Sequence, residues 1–345
     1  MQLALDDGTV ITGRSFGADG GARGEVVFTT GMTGYVETLT DPSYRGQILV
    51  MTYPLQGNYG VPAGPFESAR VQVAGLVVST CAAEYSHHRA VRSLGAWLRD
   101  EGVPAIDGID TRTLTRRLRE RGTMPGVLGD GAAAIDPATV AALVTPPGIV
   151  RVGAGDARVL VIDTGAKETI VRALVSRGAA VVRAGFFEAW EPLLAEVDGV
   201  VLTNGPGDPA DLGALVLRLR TVFATGLPIF GICLGHQLLS LAAGARTYKL
   251  PYGHRSHNQP VIDVDTGRAY VTSQNHGYAV DAQTLPADWT PWFTNLHDRT
   301  NEGVRHRERP WCSVQFHPEA AAGPRDTAYL FDDFLRVVAR TRRAA

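Results

Sequence analysis

Residues 227–238, Leu-Pro-Ile-Phe-Gly-Ile-Cys-Leu-Gly-His-Gln-Leu, pass from an apolar β-type run directly into a helix-forming segment. The join is Gly231-Ile232-Cys233-Leu234-Gly235. A strand, then Gly-x-nucleophile-x-Gly, then a helix is the order of a nucleophile elbow. The glycines allow a turn too tight for a Cβ, so the side chain between them projects from a strained corner. Cysteine suits that corner: a helix N-terminus favours a thiolate and offers backbone N–H groups to a developing oxyanion. Most free cysteines are buried structural residues, but the elbow makes Cys233 the expected nucleophile.

A cysteine nucleophile needs a base and a group to orient it. Among nine histidines, His317 stands out in Trp311-Cys-Ser-Val-Gln-Phe-His317-Pro-Glu319. Pro318 ends an apolar, β-prone run, which places His317 at a strand end. Glu319, two residues on, is positioned to accept the second ring N–H and support an imidazolium.

The rest of the chain divides by texture. Residues 1 to about 128 hold short β-type runs at 24–30, 47–52 and 71–79, and helical patterns at 90–101 and 111–122. This predicts an α+β (β/α layer) domain, assigned to residues 1–150. Residues 129–157 are rich in Gly, Ala and Pro and read as a short helix followed by a linker. From Arg158 apolar strands alternate with helices: strands at 159–162, 180–182, 199–202 and 228–232, with a helix at 168–176. That pattern predicts a second α/β domain, residues 157–345, on a mostly parallel sheet covered on both faces. After Gly244 short strands with turns are expected, then an amphipathic helix at 326–340. Ligands in such folds sit at the carboxyl ends of the strands, where Asn204–Pro209 and Cys233 both fall.

Composition excludes several classes. A net charge of −2 gives no broad positive field for nucleic acid. No apolar run approaches the roughly 20 residues of a membrane span. The acidic start, Met-Gln-Leu-Ala-Leu-Asp-Asp, lacks the features of a secretory leader, and Cys81, Cys233 and Cys312 are too few for a disulfide framework. A cytoplasmic location is expected, with Cys81 and Cys312 as core or strand residues. Gly205-Pro-Gly207-Asp-Pro-Ala210 matches a dinucleotide loop, but its prolines remove N–H groups that a pyrophosphate needs and no acid follows near 225. His87-His88 and His254-Arg-Ser-His257 lack the i, i+4 spacing of a helix-borne metal pair, so no metal site is expected. The arginines of residues 112–121 share their helix with Leu114 and Leu118, which reads as one core face and one solvated face.

Gly-Ile-Cys233-Leu-Gly-His-Gln together with Gln-Phe-His317-Pro-Glu319 resembles the triad-type (class I) glutamine amidotransferases. Leu202-Thr-Asn-Gly205-Pro-Gly207-Asp-Pro209 and Thr272-Ser-Gln-Asn275-His-Gly277-Tyr278 add to the likeness. With Gly31-Met-Thr-Gly-Tyr-Val-Glu-Thr-Leu-Thr-Asp-Pro-Ser43-Tyr and Ile109-Asp-Thr-Arg-Thr-Leu-Thr-Arg-Arg-Leu-Arg-Glu-Arg-Gly122, nearly the whole chain is similar to the small, glutamine-hydrolysing chains of carbamoyl-phosphate synthases.

The resemblance implies a Cys233–His317–Glu319 triad acting on L-glutamine, with Ser43, Gly205, Gly207, Leu234, Gln237, Asn275, Gly277 and Tyr278 matching the family's glutamine-binding positions. It implies that Asn275–Tyr278 forms a turn beside bound glutamine and that His317, not His276, is the base. It also implies a separate large chain as partner, which uses ATP and Mg; no Walker-type lysine loop occurs here, so no cofactor is expected in this chain. The stretch between Val144 and Val159 is shorter than is usual in the family, and Thr169 and Ser256 depart from its common residues. Three rival readings are an amidotransferase for a different synthase, a non-catalytic assembly chain, and a cysteine peptidase. Against them stand, in turn, the Ser43 and Asp110-Thr-Arg112 blocks, the complete triad, and the glutamine-pocket residues.

Overall fold

A computed structural model describes residues 1–131 and 133–344. Two compact units emerge, Met1–Asp136 and Pro137–Ala345. The first is built on an eight-stranded sheet in the order Val10–Thr12, Gln2–Leu5, Met124–Leu128, Ala22–Thr29, Ile48–Met51, Gly75–Val77, Ala105–Asp107, Arg14–Ser15. The four strands from Ala22–Thr29 to Ala105–Asp107 run parallel, and the flanking pairings are antiparallel. The helix Thr111–Arg121 starts where Asp110 accepts the Thr113 N–H at 2.9 Å, and buries Leu114 and Leu118. Arg117 and Arg121 on this helix each pair with Asp7 at 3.4 Å. The pattern at 90–101 is not one helix: Ala90–Arg92 is a strand, and the helix Leu94–Asp100 begins where Ser93 caps it by accepting the Ala96 N–H.

The second unit is a ten-stranded sheet in the order Ile149–Val152, Ala179–Gly185, Ala157–Asp163, Gly199–Leu202, Ile229–Ile232, Trp311–Val314, Asn301–His306, Trp289–Asn295, Arg246–Asp263, Ala269–Asp281. The five strands from Ala179–Gly185 to Trp311–Val314 are parallel. Alternate residues of Ala157–Asp163 feed opposite cores. Leu160 and Ile162 pack with Leu219, Leu238 and Leu239, whereas Val159 and Val161 pack with Ile170, Leu174, Phe331 and Phe334. Helices Gly213–Thr225 and Leu234–Ala243 supply the first group, and Glu168–Val175 and Tyr329–Ala344 the second. An apolar strand interior with helices on both faces is the outcome that continuous hydrophobic runs demand.

Two expectations are corrected. The stretch 137–150 belongs to the second unit, because Ile149–Val152 is an antiparallel edge strand on Ala179–Gly185 rather than part of a linker. And the first residues after Gly244 form a long hairpin, Arg246–Asp263 against Ala269–Asp281, before the expected short strands Trp289–Asn295, Asn301–His306 and Trp311–Val314. No helix among the described residues is long and apolar enough to cross a membrane.

Candidate active site

Leu202 pairs with Gly231, and Gly231 with Ser313. The carboxyl ends of three parallel strands therefore lie side by side, and each runs into a segment marked out by the sequence. These are residues 203–209, Cys233 with its helix, and residues 315–319. The loop 164–167 leaves the next strand in the row, Ala157–Asp163.

Cys233 has φ 55° and ψ −106°, a backbone conformation that a residue with a side chain rarely holds. Its N–H donates to the Val314 carbonyl at 2.8 Å, and the Gly235 N–H donates to the Thr203 carbonyl at 2.9 Å. A Cβ on Gly235 would lie 2.3 Å from the Leu202 carbonyl oxygen, so the strained corner fits only with glycine there. The cysteine is 2% exposed, and its Sγ sits 3.7 Å from the Asn275 carbonyl oxygen.

His317 arrives by pairing across the sheet: its N–H donates to the Ser273 carbonyl at 2.9 Å. Its Nδ1 lies 2.6 Å from Glu319 Oε1. Burial opposes charge on the ring, but Glu319 and Cys233 outweigh it and push the His317 pKa up to about 10. Burial likewise works against charge on Glu319, and His317 and Lys167 overcome it to hold the carboxylate at about 2. Nε2 is buried without a partner in hydrogen-bond geometry, although Cys233 acts on the ring by charge and hydrogen bonding.

Sequence reasoning missed Lys167. This lysine is 3% exposed, its Nζ lies 3.2 Å from Glu319 Oε1, and it donates to the Ala320 carbonyl. Its N–H donates to Asn204 Oδ1 at 3.0 Å. One step back, Asp163 accepts the Gly165 and Ala166 N–H groups at 2.7 Å each and binds Arg183 at 2.6 Å. The available signal was a lone lysine in a small-residue loop, Thr164-Gly-Ala-Lys167, after an apolar strand.

Gly205 belongs to the same neighbourhood. A Cβ on it would lie 2.1 Å from the Thr164 carbonyl oxygen and 2.9 Å from a Leu234 methyl. Gly207 follows with φ 97°. Gln237 Nε2 donates to the Tyr278 carbonyl at 2.9 Å and to Gln315 Oε1 at 3.0 Å. Asn275, Gly277 and Tyr278 form part of the strand Ala269–Asp281, not the expected turn. Ser43 is in the first unit, on the short 3-10 turn Pro42–Tyr44, where its N–H donates to the Asp41 carboxylate at 2.9 Å. His276 is held by its neighbours, with Nδ1 2.8 Å from the Tyr278 carbonyl oxygen.

A family model described as carbamoyl-phosphate synthase small chain, CPSase domain, matches residues 3–128, and one for glutamine amidotransferase class-I matches residues 160–337. The carbamoyl phosphate synthase arginine-specific small chain of Aspergillus niger is 50% identical over 360 residues, spanning 98% of this chain and 80% of its own. Its counterpart in Yarrowia lipolytica is 48% identical over 372 residues, spanning 99% and 83%. Among solved structures, a glutamine amidotransferase from Thermotoga maritima matches 54% of this chain and 90% of its own, at 22% identity and a TM-score of 0.41, too distant to bear on function. An identity near one half across both units leaves a single assignment: the chain belongs to the carbamoyl-phosphate synthase small-chain family and is a glutamine-hydrolysing enzyme whose second part is a class-I glutamine amidotransferase domain.

Proposed function

We propose that this chain hydrolyses L-glutamine through Cys233, His317 and Glu319 and delivers the ammonia to a separate large chain. The Cys233 thiolate attacks the side-chain amide carbon of glutamine. Backbone N–H groups of Leu234 and Gly205 hold the oxyanion. His317, charged at neutral pH, gives a proton to the departing ammonia and leaves a γ-glutamyl thioester. Water deprotonated by the now neutral His317 attacks the thioester, releasing glutamate and the Cys233 thiolate. Glu319, itself held by Lys167, keeps the imidazole oriented throughout. Ser43, Gly207, Gln237, Asn275, Gly277 and Tyr278 are assigned to glutamine binding. The large chain would use the ammonia with bicarbonate and ATP to make carbamoyl phosphate, so ATP and Mg are needed there.

The observation that carries this reading is the strained Cys233 backbone at the end of the strand Ile229–Ile232, with the His317–Glu319 pair delivered by the neighbouring strand. Replacing Cys233 by Ser should abolish glutamine hydrolysis while the assembled complex still makes carbamoyl phosphate from added ammonia. Retention of glutaminase turnover in that variant would remove Cys233 from the nucleophile role.

A further inference from the structure

A second buried polar cluster lies beside the 275–278 strand segment, and the reaction above makes no use of it. Glu302, fully buried on the strand Asn301–His306, places Oε1 3.2 Å from His254 Nδ1. The same oxygen accepts from Asn295 Nδ2 at 3.2 Å and Thr300 Oγ1 at 3.3 Å. The other nitrogen of His254 donates to Asp298 at 2.8 Å. Burial opposes a charge on His254, yet its hydrogen bonds to Asp298 and Glu302 and their charges raise its pKa to about 9. Burial pushes the Glu302 pKa up, against the pull of His254, so the ring is held between Asp298 and a carboxyl group that gives up its proton less readily than a solvated one would.

The cluster then reaches the substrate strand. Gln274 Oε1 lies 2.9 Å from His254 Nδ1 and 3.1 Å from His276 Nε2. His276 Nδ1 is 2.8 Å from the Tyr278 carbonyl oxygen, the same oxygen that Gln237 holds at 2.9 Å. Burial and the nearby His254 hold the His276 pKa well below its ordinary value, so its neutral ring donates to one of the two oxygens, Tyr278 or Gln274, and packs against the other. The segment so gripped carries the Asn275 carbonyl, which contacts Cys233 Sγ. Apolar residues of similar volume often serve stability as well as a buried ion pair, so what the charged set supplies here is geometry.

We propose that Glu302 and His254 are positioning residues for glutamine: through Gln274 and His276 they fix the 275–278 segment in its substrate-binding conformation. This inference rests on reading Asn275, Gly277 and Tyr278 as part of the glutamine pocket. His254, His276 and Glu302 also place possible metal-ligand atoms within 4.8 Å of one another. The hydrogen bonds favour positioning, because both His254 nitrogens already have protein partners, Glu302 and Gln274 at Nδ1 and Asp298 at Nε2.

The test is glutamine hydrolysis by the full chain carrying Glu302→Ala or Glu302→Gln, with Gln237→Ala as the gauge of the pocket. Glu302→Ala should raise KM for glutamine roughly five- to tenfold with kcat changed less than about twofold, the signature of lost uniform binding. Glu302→Gln keeps an acceptor for His254 and should restore most of the affinity. Should Glu302→Ala fail to fold, His254→Gln takes its place with the same expected KM. A wild-type KM with only a lowered Tm, while Gln237→Ala raises KM, overturns the positioning role and leaves the pocket reading standing. Unchanged KM in both Glu302→Ala and Gln237→Ala overturns both. Stoichiometric zinc or manganese in the purified chain, lost in Glu302→Gln, overturns positioning in favour of a metal site.

Discussion

Glu319→Gln isolates what the carboxylate does for His317 while changing its shape little. The glutamine oxygen still accepts from His317 Nδ1, but the charge that opposes burial is gone. In the native site the His317 pKa stands at about 10, with Glu319 the largest contribution in favour of the charged ring. Without it, burial draws the ring back toward its ordinary value, held up only by Cys233. A fall to about 7 would cut the imidazolium fraction at pH 8 from nearly all to roughly one tenth. Acylation, which needs that proton for the leaving ammonia, should slow about tenfold at pH 8 and recover as the pH is lowered. The assay is glutamate release between pH 6 and pH 10, with the acylation step resolved by rapid quench. The alkaline limb should move down by two units or more. The sign also governs stability: a raised histidine pKa stabilises the fold fully below about 6.5 and loses that contribution as pH rises through about 10. The depressed Glu319 pKa contributes above about 4.5 and fails as pH falls through about 2. Both contributions are full only between about pH 4.5 and 6.5, and at pH 8 part of the His317 contribution is already lost, so the melting curve of Glu319→Gln must be taken at pH 8 itself before a tenfold rate loss is read as chemistry. An unmoved alkaline limb would refute the claim that Glu319 sets the charge of His317.

Lys167→Met should leave Glu319 with one cationic partner; breaking a buried pair costs about 3–5 kcal/mol, read as a lower Tm, and an unchanged Tm would remove Lys167 from the support of Glu319. Losing the base in His317→Ala should lower acylation by about 10²–10⁴-fold, whereas His276→Ala should act mainly on KM; equal damage to acylation would reassign the base. Ser43→Ala should raise KM for glutamine roughly tenfold if its hydroxyl binds a charged substrate group, a bond of about 1.5–3 kcal/mol. A lower Tm with unchanged KM would leave that residue as a local turn element.

The Cys233 elbow and the His317–Glu319 contact were legible because their signals are local. An elbow is a five-residue statement about backbone strain, and the His-Pro-Glu turn is a three-residue one. The parallel core was legible for a similar reason: the runs at 159–162, 199–202 and 228–232 are apolar throughout, and only a sheet covered on both faces tolerates that. Reading failed where burial and polarity coincide. Residues 254–256, His-Arg-Ser, and 272–276, Thr-Ser-Gln-Asn-His, are all buried, so no hydrophobic alternation marks the long strands that contain them, and the polar letters suggest turns. The same blindness hid the His254–His276 contact. Spacing rules test neighbours on one helix, whereas these rings meet because His254 pairs with His276 across the hairpin. Irregularities on both sides of that pairing, between Lys249 and His254 and between Ser256 and Gln259, mean that no count of residues recovers the register.

Lys167 shows the other kind of failure. Its loop follows an apolar strand in plain view, but its value lies in a partner on the far side of the sheet order, reached only once strands from distant parts of the chain stand side by side. A buried ammonium is tolerable only where an anion waits for it. The presence of Lys167 therefore implies a carboxylate that must stay ionised, and Glu319 is that carboxylate, held charged so that His317 can be. The lysine, the glutamate and the histidine form one electrostatic chain ending at Cys233. Local propensity is broken at every member of it: a charged residue at each buried position and positive φ at Cys233 and Ala320. Departures of that kind, concentrated at the carboxyl ends of adjacent strands, mark the place where the fold gives up stability for chemistry.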